Sequence, residues 1–268
     1  MQDEYNPGRV WIMRDWRALG TMDFYHGLAM SSDVYFYYLS GGYFDRGREV
    51  FHGLGADRLA SYARAYGFGA PTGIDLPGEA AGNVPNPQWK EDNIGEVWTL
   101  GDTYNFGIGQ GYLTVTPMQL LRVTAAIANG GDLLVPHVVR EVVDEKGNVL
   151  QKIDTKVANK MPISQANFTI MREAMRQAAV YGPARTGASS QVTIAAKTGT
   201  AEFGIQLPDG RYMSSHAWYT GYAPAGDPEI AVVVFLEKGV GATNGGPVAK
   251  QIFDYYFGRK NQAEAQTP

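Results

Sequence analysis

The sequence contains no cysteine, which removes disulfides, thiolate nucleophiles and thiolate metal sites at once. Histidine is scarce. The four residues, His26, His52, His137 and His216, form no pair at the helical spacing a metal site uses, so neither a metal nor a cofactor is expected. No G-x-S-x-G occurs, so a nucleophile elbow has no support. GIGQG at 107–111 is glycine-rich but departs from G-x-G-x-x-G and does not lead straight into a helix, so dinucleotide binding has none either. Net charge is −4 without a block of one sign, which gives nucleic-acid binding little electrostatic basis. The longest aliphatic run, around 231–236, falls far short of a membrane span. The polar N-terminal stretch MQDEYNPGRVW has no apolar region of the kind a signal peptide carries.

What is present is an ordinary globular composition, 44% hydrophobic and 19% charged, enough for a sizeable core in one large domain or two small ones. Residues 24–39, FYHGLAMSSDVYFYYL, predict a helix or a pair of helical turns with aromatics on more than one face. Residues 55–69 predict an amphipathic helix closed by a left-handed Gly67. Residues 69–97 cluster Gly and Pro and read as a long ordered loop, a kind that usually sits near function. Thr116 is placed to cap a helix that Pro117 begins and that Gly130 and Gly131 stop. Residues 134–153 alternate about DEKGNV, a hairpin signal. Ser164 opens another helix, with Phe168, Met171, Met175 and Ala178 on one face. The period then shortens to two. VTIAAKTGTAEF, HAWYTGYAP and EIAVVVFLEKG predict three strands, and Gly245, Gly246 and Pro247 lead into a closing helix. The expected fold is α/β of the α+β type: a helical region, an antiparallel sheet and a C-terminal helix over 1–258, with 259–268 a disordered tail.

IAAKTGTAEF, residues 194–203, places a lysine and two hydroxyls where an apolar strand finishes. Alternate side chains of a strand share a face, so Thr198 and Thr200 point one way and Lys197 and Gly199 the other, unless the strand twists or bulges. Gly199 admits close approach of a second backbone. Such a strand end can take an extended peptide through main-chain hydrogen bonds. Lys197 offers positive charge, the threonines offer donors for a carboxylate, and a backbone N–H can face a developing oxyanion. The plain alternative is an exposed strand end with a snorkelling lysine. Ser31-Ser32-Asp33 lies inside the aromatic segment. Ser31 and Asp33 diverge on a regular helix and need a turn to share a cleft, and a buried Asp33 needs a partner. The plain alternative here is a helix N-cap at Ser31 or Ser32.

Taken with their surroundings, SSDVYFYYL, TGIDLPGE, GDTYNFGIGQGYLTVTPMQL, AAKTGTAEF and HAWYTGYAP, these residues carry an S-x-D followed far downstream by a K-T-G. The pattern resembles the transpeptidase domain of class B penicillin-binding proteins, most closely the elongation-type penicillin-binding protein 2 branch, over residues 24–257. The resemblance implies a peptidoglycan D,D-transpeptidase: a serine acyl-enzyme forms with a D-Ala-D-Ala stem peptide and passes it to a neighbouring amine, and β-lactams acylate the same serine. It implies that Ser31 helps move a proton and that Asp33, standing where Asn is commoner, pairs with a lysine. Lys197 would raise the positive potential of the cleft. Thr198 and Thr200 would hold the substrate carboxylate beside Gly199, and the Thr200 N–H would supply half of an oxyanion hole. It also implies a place on the extracytoplasmic face of the bacterial membrane, in a membrane-anchored parent with cell-elongation partners.

The same family carries its nucleophile in an S-x-x-K placed before the S-x-D. Its serine attacks and its lysine, one helical turn on, takes the proton. No serine of this chain has lysine three residues later. The nearest imitation pairs Ser61 with Arg64; it follows the S-x-D, and arginine is no base at ordinary pH. The expectation is a chain that begins inside the family's domain and is inactive alone, with the first two of five antiparallel strands supplied from upstream. The alternative is a non-catalytic relative that binds peptidoglycan or cell-elongation partners.

Overall fold

The structure, a computed structural model, describes residues 12–46, 48–206 and 212–265. The aromatic segment is the pair of helices rather than one: α1, Phe24–Ala29, and α2, Asp33–Gly41. Ser32 is the N-cap of α2, its Oγ accepting from the Tyr35 N–H at 3.1 Å. Ser31 is not a cap. Its φ of 57° is left-handed, and this residue turns the chain between the two helices. A small antiparallel hairpin follows, β1, Tyr43–Asp45, with β2, Arg48–Phe51. Next comes α3, Ala56–Ala65, with Gly67 at φ 86° beyond its end, as the sequence predicts.

The stretch 69–97, read as loop throughout, contains a helix, α4, Pro87–Ile94. Its terminal signals are ordinary: Asn86 caps the Trp89 N–H, Pro87 opens the first turn and left-handed Gly95 closes it. What it lacks is an apolar stripe, since only Lys90 is buried on it. A capping box of Thr99 and Asp102 opens α5, Leu100–Gly107. A second, of Thr116 and Gln119, opens α6, Pro117–Asn129.

Side chains satisfy the loop carbonyls from within. Gln119 Nε2 donates to the carbonyls of Ala70 and Ala81 at 2.8 and 2.7 Å. Arg122 Nη1 donates to the Thr72 carbonyl at 3.1 Å. Lys90 Nζ donates to the Val97 carbonyl and to Asp102 at 3.1 and 2.9 Å. The long loop is thus ordered by polar side chains that bond its backbone carbonyls.

Four short strands come next: β3, Asp132–Val135; β4, Glu141–Val143; β5, Val149–Lys152; and β6, Lys156–Lys160. β4 and β5 form the hairpin about DEKGNV, and β3 pairs with β6 outside it. Ser164 caps α7, Gln165–Val180, whose Phe168, Ala174, Met175 and Ala178 are buried.

The main sheet follows: β7, Ala195–Gln206; β8, Tyr212–Ala223; and β9, Ile230–Leu236, antiparallel in the order β7-β8-β9. α8, Gly246–Ala265, closes the fold and runs into the span read as a tail, whose residues 266–268 lie outside the described ones. Register fixes the two faces. Ala196, Tyr219, Val232 and Val234 pack with Ala249, Phe253 and Phe257 of α8. Ala195 and Tyr222 pack on the other face with Leu28 of α1, Ala128 of α6, and Ala174 and Met175 of α7. Tyr219, Tyr222 and Phe253 are fully buried, and the apolar Phe253 ring alone contributes about 2 kcal/mol. The sheet is therefore packed on both faces where β7 carries its lysine.

Candidate active site

Lys197 stands opposite Thr220 on the sheet face that α6 and α7 cover. Its Nζ donates to Ser31 Oγ at 2.7 Å, across 166 residues of sequence, and to the Thr198 carbonyl at 2.8 Å. The S-x-D turn and the K-T-G strand therefore meet at one hydrogen bond. The lysine is not a snorkelling surface residue; it is half-buried and aimed at a hydroxyl. Ser31 accepts this bond from a left-handed backbone at the corner between α1 and α2. Asp33, two residues on, is the first residue of α2 and is also half-buried.

The two charges perturb each other. Burial pushes the Asp33 carboxyl up to about 6; the Asp15 carboxylate adds to that rise, Lys197 opposes it and Glu202 adds to it. Burial pushes the Lys197 ammonium down to about 8, with Asp33 holding it back. Tyr37, packed on Tyr104 with ring centroids 5.4 Å apart, is pushed up to about 12, first by burial and then by Asp33, Asp15 and Glu202. Near neutral pH the cleft thus holds a lysine close to its own titration and a carboxylate just past its own. A hydroxyl hydrogen-bonded to such a lysine is well placed to relay a proton.

The alternation expected along β7 holds. Thr198 lies opposite Tyr219 and Thr200 opposite Ala217, on the face that α8 covers, while Gly199 lies opposite Trp218 on the Lys197 side. The Thr198 carbonyl takes Lys197 Nζ, and the Thr200 carbonyl takes Gln110 Nε2 at 3.4 Å. A residue in an antiparallel ladder turns its N–H and C=O to the same side. Residues 198 and 200 thus present main chain to the edge of β7 that has no strand partner among the described residues. An extended ligand laid there would meet the Thr200 N–H. The Thr200 Oγ accepts from the Gly241 N–H at 3.2 Å, which fixes the side chain and leaves the hydroxyl proton to donate.

Three neighbours escaped the sequence reading. Gln110 belongs to GIGQG, weighed only as a nucleotide loop; its flanking glycines have φ of 78° and 72° and lay the loop beside β7. Gly241 carried no signal of its own, yet its N–H donates to the Thr200 hydroxyl. Asp15 sits in irregular backbone and meets the S-x-D turn from outside. Among the described residues, no group of three or more acidic or histidine side chains is placed to hold a metal ion, and no helix is long and apolar enough to cross a membrane.

Comparison with known proteins identifies the family and the fold. The penicillin binding protein transpeptidase domain family matches residues 2–257. The peptidoglycan D,D-transpeptidase MrdA of Acinetobacter baumannii is 34% identical over 94% of this chain and 37% of its own length. Among solved structures, PBP2 of Pseudomonas aeruginosa is 33% identical and superposes with a TM-score of 0.70, covering 91% of this chain and 51% of that one. PBP2 of Helicobacter pylori, solved in complex with MreC, is 30% identical with the same TM-score, over 91% of this chain and 42% of that one. The chain spans about two fifths of the length of the curated relatives it matches.

Proposed function

The chain belongs to the penicillin binding protein transpeptidase domain family, and from that premise we propose that it forms the substrate side of a peptidoglycan D,D-transpeptidase. The observation that carries this reading is the 2.7 Å hydrogen bond from Lys197 to Ser31, which joins S-x-D to K-T-G in one cleft. In the full-length protein an upstream S-x-x-K serine attacks the D-Ala-D-Ala carbonyl of a stem peptide. Ser31 relays a proton with Lys197, and Asp33 tunes the lysine. The donor lies along the open edge of β7, its carboxylate near the Lys197 charge and the hydroxyls of Thr198 and Thr200. A Cβ at Gly199 would crowd Trp218, so its absence leaves room between the strands, and the Thr200 N–H meets the oxyanion, where one such donor is typically worth about 3 kcal/mol.

β-Lactams follow the same route, because they present a strained acyl group and a carboxylate to the same edge. The relatives are cell-wall enzymes, which supports a place on the extracytoplasmic face of the membrane. The complex of the Helicobacter pylori relative with MreC supports a cell-elongation partner of that kind for the full-length protein.

Intact-mass spectrometry of the full-length protein with a D-Ala-D-Ala stem peptide tests the reading. The expected result is an acyl-enzyme on an S-x-x-K serine, with D-Ala released. Peptidoglycan binding without any covalent adduct would instead favour a non-catalytic relative.

A further inference from the structure

Ser31 is held from both sides by two consecutive residues of the irregular segment that precedes α1. Trp16 Nε1 donates to the Met30 carbonyl at 3.1 Å, just before the turn. Asp15 takes the other side: its Oδ2 accepts from Ser32 Oγ at 2.9 Å and its Oδ1 from the Val34 N–H at 3.3 Å. Ser31, between these contacts, has a φ of 57°. A left-handed non-glycine residue costs on the order of 1–2 kcal/mol and persists only where its surroundings over-determine it. Ser32 is committed twice over. Its lone pair caps the Tyr35 N–H, and its proton goes to Asp15. Neither the cap nor the turn by itself requires an acid at position 15.

We propose that Asp15 and Trp16 are positioning residues that strap the Ser31 turn in place, so that the Ser31 hydroxyl meets Lys197. The strap holds the turn at three points and acts on the chemistry only through Ser31; its catalytic consequence rests on the transpeptidase reading. Asp15 also contributes charge. It faces Asp33 together with Lys197 and Glu202, beside the phenol of Tyr37. Because Asp15 bears on Asp33 and Asp33 in turn on Lys197, Trp16→Phe, which leaves that charge in place, separates the loss of the Ser31 contact from the loss of the Asp15 charge.

The experiment has two arms. In the 268-residue chain, side-chain NMR follows the Lys197 titration midpoint in wild type, Ser31→Ala, Asp15→Asn and Trp16→Phe. The strap predicts that both strap variants move the midpoint in the same direction as Ser31→Ala, and that neither moves it further once Ser31 is Ala. In the full-length protein the same variants are scored for acylation by a fluorescent penicillin. Each strap variant is expected to lose on the order of tenfold to a hundredfold in rate, and again less in the Ser31→Ala background. Trp16→Phe keeps charge and bulk, so it serves if Asp15→Asn fails to fold. An unchanged Lys197 midpoint with wild-type acylation in both variants overturns the strap. A full-length wild type that is never acylated refutes the transpeptidase reading instead, and the titration arm then decides the strap alone.

Discussion

Lys197 Nζ and Ser31 Oγ are 2.7 Å apart, and the serine is one of only two described non-glycine residues with a left-handed φ. Ala normally outranks Gly in stability wherever the backbone is ordinary. At position 31 the order should invert. Ser31→Gly and Ser31→Ala both lose the acceptor for the ammonium, but only Gly relaxes the left-handed turn. Ser31→Gly is expected to be more stable than Ser31→Ala by about 1 kcal/mol in urea denaturation. In the full-length protein both variants should acylate equally slowly. Ala above Gly in stability would contradict the turn as described.

Asp33 and Lys197 together make a pH prediction. The Asp33 carboxyl ionises near 6 when folded against an ordinary 3.8, so the folded state holds this proton more tightly. Its contribution to stability is full below pH 3.8 and is lost as pH rises through about 6. Lys197 falls from 10.5 to about 8, so its contribution is full above pH 10.5 and is lost as pH falls through about 8. Between about 6 and 8 both are ionised and the site costs the fold most. Asp33→Asn should therefore raise stability at pH 7 by about 1–2 kcal/mol and leave it unchanged well below pH 3.8. Denaturation curves at the two pH values check this, and a loss of stability at pH 7 would contradict it.

Gly241 supports the K-T-G strand from beneath. A Cβ there would collide with the carbonyl oxygens of Gly199 and Trp218, which are backbone atoms and cannot swing aside. Gly241→Ala should cost about 1–3 kcal/mol and lower the melting temperature. Gly226→Ala, with nothing within 4 Å of its new carbon, is the matched control and should change stability by less than about 0.5 kcal/mol. Equal melting temperatures for the two variants would show that β7 tolerates a shift at this point.

Lys90 is 5% exposed along its side chain and pairs with Asp102, itself 16% exposed. Removing one partner of a buried pair strands the other charge, typically at a cost of about 3–5 kcal/mol. Lys90→Met should destabilise the fold by roughly the lower figure, because Asp102 keeps its bonds from Thr99. Lys90→Met combined with Asp102→Asn should recover part of the loss. Guanidinium denaturation of the two variants is the measurement, and no recovery in the double variant would place the energy elsewhere.

The parts that could be read from sequence are those whose signals are local. Thr116, Pro117 and Gly130 mark both ends of α6, and period-two runs mark β7, β8 and β9. Ser31, Asp33 and Lys197 were legible because their spacing resembles a family's motifs, not because local physics brings residues 166 apart together. α4 was missed because its buried residue is a lysine, so no apolar stripe announced it. Gln110, Gly241, Asp15 and Trp16 act through one or two long-range hydrogen bonds each, and no period of the sequence encodes such a contact. The alternation of Thr198 and Thr200 against Lys197 was foreseen. That residues 198 and 200 offer main chain to the open edge required the register of β7 on β8.

The central claim, that Ser31 and the Lys197–Thr200 strand form the substrate side of an acylation site, is tested most directly by fluorescent-penicillin labelling followed by denaturing electrophoresis. Three proteins are compared: the 268-residue chain, the full-length protein and its Lys197→Ala variant. The chain should carry no denaturation-resistant label, since none of its serines has a lysine three residues on. The full-length protein should label, and Lys197→Ala should slow that labelling about a hundredfold, in line with about 3 kcal/mol of lost transition-state stabilisation. A covalent label on the 268-residue chain, or equal rates for Lys197→Ala and wild type, would contradict the account.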